Sequence, residues 1–154
     1  MAEIILKETE LHLSPEDSKS NRYISFTVPE GTEKLFITYS YSPKALEDKE
    51  KSYKLIKENI LRDAPEDIER YTDYEVFMPL KNLVTLSLDS PTEFRGAAHR
   101  HDESQHHEIG EQFASPGFLK GKINEGQWRL SLNVHAVVTE VCTCKVKIEG
   151  ETEQ

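Results

Sequence analysis

Apolar and polar residues alternate along most of this chain, and the clearest alternation lies near its C-terminal end. Between residues 127 and 134 the even positions are apolar, and they include the only Trp of the chain, Trp128. Alternation with a period of two predicts a β-strand with one buried face, which we place at residues 127–138. Ser-Pro-Gly and Asn-Glu-Gly turn signals precede it, at residues 115–117 and 124–126. We expect Trp128 to lie on the inner face, since it buries more area than any neighbour.

The same alternation predicts six further strands. Two of them are joined by a Pro-Glu-Gly turn, and their spacing predicts an antiparallel hairpin. In the N-terminal segment, residues 4–13, the parity of the apolar positions changes near Lys7 and Glu8, which predicts either a β-bulge or a break between two short strands. We expect residues 150–154 to fray. The six predicted strands cover residues 4–13, 23–28, 34–41, 83–88, 94–99 and 141–148, the second and third forming the hairpin.

The period changes after the third of these strands. Ser42 can cap a helix, and Pro43 suits the first helical position because its missing N–H needs no partner there. Four apolar residues then recur at helical spacing: Leu46, Tyr53, Ile56 and Ile60. We therefore predict an amphipathic helix near residues 43–62 that ends before Pro65 and packs its apolar stripe on the strands. A short helical turn is expected over residues 65–74.

Short strands separated by turns, with one inserted helix, predict a mainly β fold. The architecture they favour is an antiparallel β-sandwich of the jelly-roll type. At 154 residues, with no internal repeat or linker, residues 1–154 are expected to form a single domain.

Composition excludes several classes of function. The 28 acidic and 19 basic residues give a net charge of −9, and no basic stripe is visible, so binding to nucleic acid or to an anionic membrane is disfavoured. No apolar run approaches the roughly 20 residues that a membrane helix needs. The N-terminal residues do not resemble a signal peptide, so we expect cytoplasmic residence.

Cys142 and Cys144 share one strand face and are expected to be small core residues rather than metal or redox groups.

A histidine-rich segment is the clearest candidate for a metal site. Imidazole and carboxylate groups are ligands for divalent transition metals. The candidate ligands are His99, His101, His106, His107, Asp102 and Glu108. On a strand, the first two would project from one face about 6.6 Å apart, and a third could complete the site across a turn. The alternatives are an exposed polar loop, regulatory metal binding and catalysis.

A second candidate site surrounds Arg95. Arg95-Gly96 fits a turn with close backbone approach, in which the guanidinium binds carbonyls of neighbouring strands. The rival interpretation is a ligand-binding arginine. In that case Arg95, Phe118 and Lys120, together with the histidine-rich loop, would contact a ligand at one end of the sandwich.

Residues 89–100, residues 114–128 and the Cys-containing last strand carry a resemblance to a known domain. They are similar to the N-terminal β-sandwich that precedes the catalytic domain in bacterial PHP-type metal-dependent phosphoesterases. In that family the chemistry resides in a following metal-binding barrel. The resemblance therefore implies a stand-alone, non-catalytic domain with no catalytic residues to carry over, although residues 99–101 match the His-x-His that opens PHP catalytic domains.

The leading hypothesis is a non-catalytic binding or interaction module. Its ligand would be an unknown protein or small molecule, and no cofactor is expected. The alternative is a metal-binding protein, with hydrolysis as one use of the metal, built on residues 99–108. A third hypothesis is homo-oligomerisation through exposed aromatic residues or the helix.

Overall fold

The computed structural model describes residues 2–67 and 74–152. Within these two ranges, ten antiparallel strands and one α-helix form the fold. In chain order they are β1 (Ala2–Leu13), β2 (Ser20–Val28), β3 (Thr32–Ser42), β4 (Ala45–Leu46), α1 (Lys49–Asp63), β5 (Leu80–Lys81), β6 (Leu83–Asp89), β7 (Phe94–Ala98), β8 (Ser104–Gly110), β9 (Gly126–Ala136) and β10 (Cys142–Thr152). The protein is therefore mainly β, as the alternation predicts.

Two four-stranded sheets make the sandwich. The first sheet has the order β1-β10-β3-β8 and the second the order β2-β9-β6-β7, while β4 and β5 form a separate two-stranded sheet. Apart from the β6–β7 hairpin, each long strand is followed along the chain by a long strand of the other sheet. This connectivity is that of an eight-stranded jelly roll, which confirms the predicted fold class.

The predicted hairpin at residues 23–28 and 34–41 is wrong. β2 pairs with β9, whereas β3 pairs with β10 and β8, so the Pro-Glu-Gly turn carries the chain from one sheet to the other. Both strands bury one face, and crossing between the sheets brings those two faces together across the core. Alternation reports which face is buried but not which strand is the neighbour.

The core between the sheets contains the residues that alternation assigns to it. Trp128 is 1% exposed, and its indole N–H donates to the Asn124 carbonyl at 2.7 Å. Its ring lies 6.4 Å from that of Phe26 on the neighbouring strand. Cys142 and Cys144 are both fully buried and free of disulfide bonds. The bulge in β1 is also present, as a register shift between Ile5 and Lys7.

The helix begins later than predicted. Ser42 pairs with Thr143 in the first sheet, and β4 pairs with β5, so the backbone of the expected first helical turn is used by strands. Asp48 caps the helix instead, because its carboxylate accepts the Lys51 backbone N–H at 3.1 Å. The helix ends at Asp63, before Pro65, as predicted.

Two features at the margins complete the fold. Short 3₁₀ turns form at Pro65–Asp67 and Tyr74–Phe77, while the rest of the expected helical turn, residues 68–73, lies outside the described residues. β10 continues to Thr152 with Gly150 and Glu151 buried, so the expected fraying is wrong up to residue 152, and residues 153–154 are not described. Within the described ranges, no helix has the length and apolar character needed to cross a membrane.

Candidate functional site

Residues 114–121, here named the closing segment, cover one side of the sandwich between β7 and β8. The Ala97 N–H donates to the Gly117 carbonyl, and the Leu119 N–H donates to the Arg95 carbonyl, both at 3.0 Å. The Gly121 N–H donates to the Gly110 carbonyl, also at 3.0 Å. The closing segment therefore bridges the edge strands of both sheets.

Arg95 holds this segment in place from inside. Its side chain is buried, with a relative exposure of 2%. The guanidinium donates four hydrogen bonds of 3.0–3.2 Å to the carbonyls of Leu119, Gly121 and Lys122, and it lies 5.2 Å from the Trp128 ring centre. This arrangement matches the carbonyl-binding alternative for Arg95, and it leaves the side chain no solvent-facing position from which to contact a ligand.

The other two candidate ligand contacts do not form one surface with Arg95. Phe118 is 7% exposed and points inward, with its ring centre 4.9 Å from that of His107. Lys120 is exposed. The three residues predicted to meet a ligand together are thus two parts of the interior and one surface lysine.

The histidine-rich segment is a loop only in its first half, since β8 begins at Ser104 and pairs with β3. His106 and His107 are consecutive residues of a strand, so they face opposite sides of the sheet. His106 lies outside, with its Nδ1 3.0 Å from the Thr38 hydroxyl. His107 is 2% exposed, with its Nε2 2.9 Å from the Gln105 amide oxygen. These two imidazoles therefore cannot coordinate the same metal ion.

Burial sets the protonation of His107. The pKa of His107 is lowered to about 4, mainly because burial removes solvent from the charged form and to a smaller extent because Arg100 and His106 repel its positive charge. The side chain is therefore neutral at pH 7, and its ring serves the packing beneath the closing segment.

The remaining candidate ligands lie apart from a common centre. His99, His101 and Asp102 are exposed in the loop between β7 and β8, and Glu108 pairs with Lys34 at 3.7 Å. Among the described residues, no group of three or more His, Cys, Asp or Glu side chains is placed to hold a metal ion. Metal binding by residues 99–108 stays a prediction.

A groove of about 950 Å³ lies between α1 and the end of the sandwich where β9 leaves its sheet. The end of β9 and the residues after it supply apolar surface through Ala136, Val137 and Val138. Helix α1 supplies Leu55 and Ile60, which are half-buried, while Ser52 and Ile56 are the only buried residues of the helix. The helix thus covers the sandwich incompletely, and the uncovered apolar surface lines the groove.

Polar groups surround this apolar surface. Lys51 and Lys54 lie on the α1 side, and Lys19 and His135 lie on the sandwich side. The backbone of Lys19 is fixed, since its φ is +64° and its N–H donates to the Val134 carbonyl at 2.7 Å. Apolar walls with a few convergent polar groups are the usual composition of a small-molecule site.

No sequence motif marks this groove. Its residues come from the β1–β2 turn, α1, the segment around β5 and the end of β9. The one signal that could have indicated it is the helix itself, which places Lys51, Lys54 and Leu55 on one side at spacings of three and four.

Comparison with models of known protein families gives no match to this chain, and comparison with curated proteins gives none either.

Proposed function

We propose that this protein is a non-catalytic binding domain whose small-molecule ligand lies in the groove between α1 and β9. The observation that carries the proposal is the groove itself. Its volume of about 950 Å³ falls within the range of about 300–1,000 Å³ that is typical of ligand sites. Its walls combine aliphatic side chains with a rim of lysines, so it offers both burial and polar contacts.

The groove is open to a ligand, whereas the candidate residues under the closing segment are not. Arg95, Phe118 and His107 are enclosed by protein, so a ligand could reach them only by displacing the closing segment. The resemblance to the N-terminal β-sandwich of PHP-type phosphoesterases supports the non-catalytic part of the proposal.

Binding of a neutral apolar dye, N-phenyl-1-naphthylamine, tests the groove directly. We expect saturable binding of one dye per chain, with enhanced fluorescence. Ala136→Trp places a large side chain in the groove from a half-exposed strand position and should abolish binding. Ser25→Trp, at an exposed position of the same sheet, is the matched control and should bind as the unchanged protein does.

Three results would contradict the proposal. One is dye binding that Ala136→Trp leaves intact while urea unfolding shows the variant to be folded. Another is a solution-scattering mass of a dimer in which a second copy fills the groove. The third is turnover of phosphoester or glycoside substrates that the same variant abolishes.

A further inference from the structure

The net charge of the residues that line the groove is opposite in sign to the net charge of the whole chain. The chain has a net charge of −9. The charged groups that line the groove are Lys19, Lys51, Lys54, Arg62, Glu58 and Glu140. Four cations and two anions therefore surround the apolar surface, a local excess of positive charge on an acidic protein.

Three of these cations have no partner among the described residues. No carboxylate lies within ion-pair distance of the ammonium groups of Lys19, Lys51 or Lys54 in that part of the chain. Arg62 differs, since its guanidinium contacts Asp63 at 3.2 Å and donates to the Asn59 side chain. The unpaired charge is thus concentrated on three lysines.

The lysines and the apolar surface face the same space from different elements. Lys51 and Lys54 are three residues apart on α1, so their stems rise from one side of the helix. Lys19 approaches from the β1–β2 turn, fixed by its bond to Val134. Long lysine stems can cover apolar surface while they keep the ammonium in water, which favours a ligand with an apolar body and a charged end.

We infer that the groove binds a free, single-chain amphipathic anion of the long-chain carboxylate type. The inference rests on the proposed function and names its ligand class. The apolar chain lies on the half-buried side chains of Ala136, Val138, Leu55 and Ile60, and the carboxylate lies among the three lysines. A neutral amphiphile gains only the apolar contact, and a cationic one is repelled.

Displacement of the neutral dye by three ligands of equal chain length tests the charge. Dodecanoate should bind about tenfold more tightly than dodecanol at low salt, and dodecyltrimethylammonium should bind most weakly; the ratio corresponds to two or three partly exposed charge contacts. Salt should reduce the ratio.

A charge-matched pair of double variants locates the effect. Lys51→Gln with Lys54→Gln should lower the dodecanoate advantage to about twofold and leave dodecanol binding unchanged. Lys57→Gln with Lys145→Gln also removes two positive charges, but from exposed positions outside the groove lining, and this variant should keep the tenfold ratio.

The outcomes separate this inference from the proposed function. Equal binding of dodecanoate and dodecanol, with the dye displaced by both, overturns the anionic ligand and keeps the groove as a binding site. Failure of the dye and of all three ligands to bind overturns both. Co-sedimentation with vesicles of phosphatidylglycerol without binding of free dodecanoate also overturns the inference, because the site would then recognise a membrane surface.

Discussion

The side of the sandwich under the closing segment and the groove beside α1 differ in what their polar side chains bind. Under the closing segment, Arg95 donates to three backbone carbonyls and His107 contacts Gln105. In the groove, the ammonium groups of Lys51 and Lys54 have no carboxylate partner among the described residues. Residue types that bind ligands can also form hydrogen bonds that stabilise the interior. A candidate binding residue is therefore distinguished by polar atoms that have no partner within the protein.

The backbone shows the same contrast. Gly96 of β7 and Gly117 of the closing segment have φ values of +113° and +95°, and because they lack side chains the two segments come into backbone contact. A Cβ on Gly117 would lie 2.3 Å from the Ala97 carbonyl oxygen. Beside the groove, by contrast, the fifteen-residue helix buries only two of its residues. One side is sealed by close backbone contact, and the other leaves space for a ligand.

Arg95→Ala is expected to have the largest effect on the sealed side. It removes four charge-assisted hydrogen bonds, leaves three carbonyls without these donors and empties the buried space of the side chain, so the free energy of unfolding should fall by about 4 kcal/mol. Arg129→Ala is the matched control, because Arg129 also lies over an aromatic ring, that of Tyr23, but is half exposed. Its loss should cost less than about 1 kcal/mol. Urea unfolding measures both, and equal costs would contradict the bracing role of Arg95.

Acid should weaken the sealed side through His107. Its pKa is about 4 in the folded chain and about 6.5 when unfolded, so the unfolded state binds the proton first as pH falls. The contribution of neutral His107 to the free energy of unfolding is fully present above pH 6.5. It falls as the pH drops towards 4, where about 3 kcal/mol has been lost. His107→Gln should remove this part of the pH dependence, whereas His106→Gln should keep it. Unfolding at pH 7 and pH 4 checks this, and an unchanged pH dependence in His107→Gln would contradict it.

The sequence predicts the fold better than the site because the two rest on different information. Alternation identifies Ile24, Phe26 and Val28 as inward-facing, and all three are buried. It does not identify the neighbouring strand, and so the β2–β3 hairpin is wrong. The jelly-roll class survives this error because it depends on the number of strands and turns rather than on one pairing.

The site depends on contacts that no local pattern contains. Whether Arg95 binds a ligand or a carbonyl is decided by the path of the closing segment, more than twenty residues later in the chain. The groove depends on how far α1 stands from β9. The residues nearby encode neither the path of the closing segment nor the spacing between α1 and β9. The sequence therefore predicts a site at histidines and an arginine and gives no reason to choose the lysines of the groove.

Gly117→Ala should cost at least about 2 kcal/mol, because the added Cβ meets the Ala97 carbonyl in a backbone conformation that already disfavours side chains. Gly31→Ala separates the two causes, since Gly31 also has a positive φ, +88°, but no atom lies within 4 Å of its added Cβ. It should cost about 1 kcal/mol. Thermal unfolding of the two variants provides the comparison, and a cost for Gly31→Ala as large as that for Gly117→Ala would show that contact with β7 is not what closes this side.

Asp48→Ala should have the smallest effect on the fold, and it tests the open side. Loss of the cap weakens α1 by about 1 kcal/mol. Because α1 buries few residues, unfolding of the core followed by the fluorescence of Trp128 should change by less than about 0.5 kcal/mol. Dye binding should weaken, by up to about fivefold, since one wall of the groove is then less often in place. A loss of core stability as large as that from Arg95→Ala, with dye binding unchanged, would mean that the helix supports the sandwich rather than the ligand site.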